Sequence, residues 1–308
     1  MHIKILGSAA GGGFPQWNCA CANCGAIRAG TFAGKARTQA QVAVSGDGES
    51  WFLLGASPDL RSQIEATSEL HPKAGVRLSP ISGAVLSSAD LDHVLGLLLL
   101  RELQPLRVFG TASVLGILRE DNSFFGMLNR VPRQVDWSAV VPGAQFELGS
   151  VDERRSGIVA TVIPLAARYP AYVTQIRAGQ LRPTEAVTGL VVESSGRRLA
   201  YLPSVGNIDE KLIEMLQSVD VLLFDGTFWS DDELIRVESG GATAHQMGHV
   251  PVGGPDGSLR RLAELRNGKR IFIHLNNTNP MLNESSPECR TVRDAGWEIA
   301  EDGWQFTL

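Results

Sequence analysis

The sequence is short of nearly everything that marks an exported, membrane-borne or nucleic-acid-binding protein. Its opening residues, Met1-His2-Ile3-Lys4-Ile5-Leu6, lack the basic segment, long apolar core and small-residue cleavage site of a signal peptide. The longest apolar run, after His93, is too short to span a bilayer. Only four cysteines are present, and without an export signal they are not expected to form a disulfide framework. Positive charge is not in excess: 28 Lys and Arg against 33 Asp and Glu leave a formal net charge of -5. That balance makes nucleic acid and anionic membrane surfaces unattractive partners. No repeat, low-complexity tract or long linker interrupts the chain. The expectation is a cytoplasmic, globular protein whose 308 residues form a single domain, 1–308.

What is present is a rhythm of strands and helices. Ile3 to Leu6, Val42 to Val44, Trp51 to Leu54, Gly83 to Leu86 and Leu106 to Phe109 read as strands in the first half. Val159 to Ile163, Gly189 to Glu193, Leu199 to Leu202, Val221 to Phe224 and Ile271 to Ile273 follow in the second. Ser57-Pro58 reads as a helix start leading into Asp59 to Leu70. Further helices are expected over Ala112 to Glu120, Ile208 to Gln217, Leu259 to Arg266 and Ser286 to Asp294. Metal-type residues at strand ends within this pattern point to an α/β fold, a four-layer αββα sandwich.

Three clusters carry chemistry. Cys19, Cys21 and Cys24 sit within six residues behind Gly11-Gly12-Gly13, close enough to converge on one ion as thiolates. A tetrahedral zinc needs a fourth ligand, and His245, His249 and Cys289 are the candidates. Cys289, on an expected helix, reads more readily as a small core residue. The second cluster is the apolar strand Ile271-Phe272-Ile273 ending in His274 and a polar loop, Asn276-Asn277. Third is the turn Ser88-Ala89-Asp90-Leu91-Asp92-His93, which follows a strand and opens an apolar helix, Val94 to Leu100. Asp92, His93 and His274 together make two imidazoles and one carboxylate, the donor set of non-heme Fe(II) and O2 chemistry. Zinc suits such a site as well, with bound water as nucleophile. Asp90 reads as an acid or base beside the metal, or as a helix-terminal carboxylate facing the dipole. His245 and Asp225 are further candidates for the pocket wall, Asp225 reading equally as a turn cap; Arg168, Tyr169 and Tyr172 read first as a solvated loop, with receipt of substrate carboxylates the alternative.

These segments resemble a known family. The triple-cysteine turn, SSADLDH, YLPS, FDGTFW and IHLNNTNPML together are similar to the pyrroloquinoline quinone (PQQ) biosynthesis protein B family, over essentially the whole chain. That family lies in the metallo-β-lactamase superfamily, near its phosphodiesterase and tRNA-processing branches, so the resemblance implies the αββα fold. In that superfamily the turn is His-x-His-x-Asp-His; here Ser88 and Asp90 stand where the first two imidazoles would be, and only Asp92 and His93 remain. Ala167 and Ser204 similarly stand where relatives place a further His and a bridging Asp, which weakens the case for two-metal hydrolysis. The resemblance implies a structural Zn(II) on the cysteine loop with His249 as its fourth ligand. It also implies a role in PQQ synthesis, whose precursor is a cross-linked Glu–Tyr adduct. The expected activity is an Fe(II)-dependent hydroxylation of that tyrosine ring with O2 as co-substrate. A carrier or transport factor for PQQ or its precursor is the alternative, and a zinc-dependent hydrolase the second. The partners expected are that small-molecule precursor and other proteins of the pathway.

Overall fold

The structure, a computed structural model, describes residues 1–166, 168–237, 240–266 and 268–308. Its strands are β1 (His2–Gly7), β2 (Gln41–Ser45), β3 (Trp51–Leu54), β4 (Ile81–Val85), β5 (Leu106–Thr111), β6 (Val135–Val140) and β7 (Gln145–Gly149). They continue with β8 (Arg155–Ala166), β9 (Val187–Ser194), β10 (Arg197–Leu202), β11 (Val221–Asp225), β12 (Lys269–Ile273), β13 (Glu298–Ile299) and β14 (Gln305–Thr307). The chain divides into two compact units, one of Met1–Leu6, Gln41–Arg197 and Gly303–Leu308, the other of Gly7–Ala40 and Arg198–Asp302.

In the first unit one sheet runs β14-β1-β2-β3-β4-β5-β6. Strands β3 to β6 run parallel to one another, while β2 pairs antiparallel with β3 and β14 antiparallel with β1. β2 and β3 are buried along their whole length, which is why they read as unbroken apolar runs rather than alternating ones. Leu53, Ala84, Leu86, Val108, Val114 and Leu118 form the centre of its core. β7, β8 and β9 form an antiparallel meander in the same unit. Neither β6 nor β7 is evident in the sequence: each is an edge strand, half-buried and mixed in polarity, so it carries no clean period. The long helix expected over Asp59 to Leu70 is shorter, Leu60–Glu65. Thr67 then takes an extended backbone before a single 3₁₀ turn, Ser68–Leu70. Leu91–Val94 is α-helical, and the apolar run after it winds as a 3₁₀ helix, Leu95–Leu100. Gly96 lets this run lie directly on the Ala56–Ser57 backbone: a Cβ there would sit 2.3 Å from the Ser57 carbonyl oxygen.

The second unit is built on four parallel strands in the order β13-β12-β11-β10. β11 is buried throughout, as a central parallel strand must be. Phe272 stacks on Trp297 with ring centroids 4.3 Å apart, and Phe224 meets the same indole edge-on. The register pairs Leu202 with Phe224 and Asp225 with Ile273, so all three strands end at one level. Gly226 permits the exit: a side chain there would press on Phe272 at 2.9 Å. Carboxyl ends of parallel strands are where α/β folds assemble sites, and the sequence has placed Asp225 and His274 at two of them. The expected Leu259–Arg266 helix is confined to Ser258–Arg261. Among the described residues no helix is long and apolar enough to cross a membrane.

Candidate metal centres

In the first unit, the turn after β4 gathers Ser88, Asp90, Asp92 and His93. The Ser88 hydroxyl donates to Asp90 Oδ2 at 2.9 Å and accepts the Asp90 N–H at 3.1 Å. Asp90 therefore stands at the helix start held by Ser88 and makes no capping bond of its own. One residue into the helix, Asp92 brings Oδ2 to 3.7 Å from His93 Nε2; the imidazole is buried and the carboxylate half-buried. The turn is braced from two sides. Ala56 donates its N–H to the His93 carbonyl at 2.8 Å, and Thr188 on β9 donates both N–H and hydroxyl to the Ser87 carbonyl. Tyr172 donates its phenol to the Ala89 carbonyl at 2.5 Å, and burial, with Asp90 nearby, pushes that phenol up to about 12. Tyr169 likewise donates to the Arg182 carbonyl at 2.7 Å. Both phenol hydroxyls thus donate to backbone carbonyls and tie down the segment that carries them. Ala167 lies outside the described residues.

The second unit holds two separate groups. Around the cysteine loop, Cys24 is buried in a short helix, Ala22–Arg28, and Cys19 and Cys21 stand at its head. Their sulfurs lie within 4.8 Å of one another. The amide nitrogen of Asn277 reaches all three, at 3.2, 3.7 and 3.4 Å from Cys19, Cys21 and Cys24. Asn23 ties the loop down by donating to the Asn277 and Asn279 carbonyls at 3.1 Å. Burial and the neighbouring thiols push the Cys21 thiol up to about 11. Cys19 is held below the ordinary range: burial opposes this, but the Cys21 N–H and neighbouring side chains outweigh it. Three thiols at this spacing, unfavourable as bare thiolates together, form a soft donor set suited to zinc. Cys289 is buried on the Pro287–Asp294 helix and is not part of the group, as its core reading expected. All four cysteines are free thiols.

His249 is not part of it either. Expected at the cysteine loop, it lies instead with Asp225 and His274. Asp225 is fully buried and accepts four hydrogen bonds. Oδ2 takes the Val205 N–H at 2.8 Å and His249 Nδ1 at 2.7 Å; Oδ1 takes the Thr227 N–H at 3.0 Å and the Thr227 hydroxyl at 2.6 Å. Thr227 Oγ1 in turn stands 2.8 Å from His274 Nδ1. The two imidazoles stack at 5.6 Å between centroids and 23° between planes. Burial works to raise the Asp225 pKa, but His249, His274 and Thr227 outweigh it and hold it below the usual carboxylate range. Asp225 thus braces the residues around it, and it also forms, with His249 and His274, a group whose ligand atoms lie within 4.8 Å of one another. His274 is itself left-handed at φ +63, strained backbone of the kind that collects at functional sites.

His245, the other expected wall residue, stands apart: half-exposed, it bonds Asp231 at 2.7 Å and lines a cleft with Trp229, Glu233 and Pro251. Thr227 and Asn277 bond into these two groups, and the sequence assigned neither of them a role. Both lie inside segments already singled out, one residue beyond the Asp-Gly that ends β11 and three beyond His274.

Comparison with known proteins agrees with this architecture. A beta-lactamase superfamily domain matches residues 50–275. Coenzyme PQQ synthesis protein B of Methylorubrum populi is 42% identical over the full length of both chains. The protein of that name from Xanthomonas euvesicatoria is 39% identical, again covering both chains in full. Among solved structures, zinc-bound PqqB from Methylobacterium extorquens superimposes with a TM-score of 0.92 at 40% identity, with both chains fully covered. A diphosphatase of the PhnP family, 20% identical with a TM-score of 0.68 over 100% of this chain and 97% of its own, shares the fold. The fold is the metallo-β-lactamase fold, an α/β sandwich of two mixed sheets and helices. The chain belongs to the coenzyme PQQ synthesis protein B family of the beta-lactamase superfamily.

Proposed function

We propose that this protein acts in PQQ biosynthesis as an Fe(II)-dependent hydroxylase of the tyrosine ring in the cross-linked Glu–Tyr precursor. Full-length relatedness to coenzyme PQQ synthesis protein B supports the pathway. The observation that carries the chemistry is the donor set. Asp92 and His93 stand on one short helix, and His274 ends a buried strand with its Nδ1 anchored by Thr227. One carboxylate and two imidazoles fit Fe(II), which when bound leaves coordination positions for substrate and dioxygen and supplies the activated oxygen that ring hydroxylation needs. A single-metal reading is favoured over two-metal hydrolysis because Ser88, in place of an imidazole, has its hydroxyl committed to Asp90. At the cysteine loop the ligands proposed for Zn(II) are Cys19, Cys21, Cys24 and, with its amide turned so that the oxygen rather than the nitrogen faces the sulfurs, Asn277; His249 lies in the other group. The substrate is a small molecule in this reading, and the place of action is the cytoplasm.

The test is O2 uptake by the Fe(II)-reconstituted chain given the cross-linked Glu–Tyr adduct and an external two-electron reductant, which takes the second oxygen atom to water, with His274→Ala as control. Uptake matched by hydroxylated product and absent in the control supports the oxygenase. Binding of PQQ or its precursor without uptake moves the assignment to a carrier.

A further inference from the structure

Four donors converge on Asp225, and counting their protons fixes more than the carboxylate. An ionised carboxylate only accepts. The 2.7 Å contact from His249 Nδ1 therefore requires the proton on Nδ1. Thr227 has one hydroxyl proton, and its 2.6 Å contact with Asp225 Oδ1 claims it. Its oxygen can then only accept from His274, so the 2.8 Å contact requires a proton on His274 Nδ1 as well. We infer that Asp225, directly on His249 and through Thr227 on His274, is a positioning residue that holds both imidazoles in the Nδ1–H form, so that each carries its lone pair on Nε2. The two rings are near-parallel neighbours anchored by the same pair of residues at their Nδ1 edges. His274 thereby keeps the nitrogen that a metal requires, and His249 gains the role of hydrogen-bond acceptor for a hydroxyl or water held beside it. A metal-ligating histidine whose second nitrogen is oriented by a carboxylate or hydroxyl is a recurrent device, worth 10- to 100-fold in metal affinity. Here one carboxylate serves two rings.

The inference rests on His274 being a metal ligand, yet its main readout does not depend on any reaction. In the full chain, carrying 15N-labelled histidine, the long-range proton–nitrogen spectrum reports which nitrogen of each ring bears hydrogen. His249 and His274 are both expected in the Nδ1–H form. Thr227→Val keeps the volume but deletes the relay; it should change the His274 pattern alone and weaken Mn(II) binding, followed by electron paramagnetic resonance, by at least tenfold. Thr227→Ser keeps the relay and should restore both. Hydrogen on Nε2 of either ring in the wild-type chain would overturn the inference, as would a Thr227→Val protein with unchanged His274 pattern and Mn(II) affinity. If Thr227→Val does not fold, the wild-type spectrum still decides. A failed O2-uptake assay leaves these readings standing.

Discussion

The two groups of the second unit solve the problem of holding donor atoms in opposite ways. Around the cysteines, three like groups are brought together with few partners beyond Asn277 and the Cys21 N–H, leaving an arrangement that a cation would complete. Around Asp225, every oxygen position of the carboxylate is already filled and the imidazoles are oriented by hydrogen bonds within the protein. In the proposed reading an ion would complete the first group, whereas the second is already held by hydrogen bonds within the protein, the preorganisation that a functional site requires.

The sharpest way to break this contrast is Asp225→Ala. Val205, Thr227 and His249 would lose their acceptor together inside the core, and unfolding by denaturant should show a loss of about 3–5 kcal/mol. A loss under 1 kcal/mol would mean the carboxylate braces nothing. A smaller effect on the fold is expected from Cys24→Ser: zinc measured per chain should fall by one equivalent, with Mn(II) affinity at the other group changed less than about threefold. A pH-dependent effect belongs to Glu233, whose carboxyl burial raises to about 7 despite bonds from Thr278 and the Trp229 N–H. Because its folded-state pKa lies above the unfolded value near 4.5, the folded state binds the extra proton between those values. Stability should therefore decline by up to about 3 kcal/mol as pH rises from 4.5 to 7 and level off above. Glu233→Gln should flatten that slope; an unchanged slope would assign it to another group.

The sequence was legible where one physical signal dominated. Buried parallel strands such as β11 announced themselves as apolar runs, and three cysteines in six residues were visible as a group. The edge strands β6 and β7, half-buried, left no such trace. Partnership across distance was hidden for a different reason. His249 lies 25 residues from His274 in sequence, and nothing local says whether it turns toward the thiols or toward Asp225. Strand register decides it, by bringing Asp225 level with Ile273 and so beside the residue that follows it. Thr227 was overlooked because a hydroxyl carries no metal preference of its own; its value lies only in the single proton it can give.

The loop after β12 carries His274 at one end and Asn277 three residues on, with Leu275 between them fastened to Ser8 and Ala10 through its N–H and carbonyl. Its length is thereby set from both sides at once. An inserted or deleted residue between these two positions would be unable to keep the imidazole on Thr227 and the amide on the thiols together. The segment is buried as well, so a change in its spacing would have to be absorbed inside the core rather than in solvent.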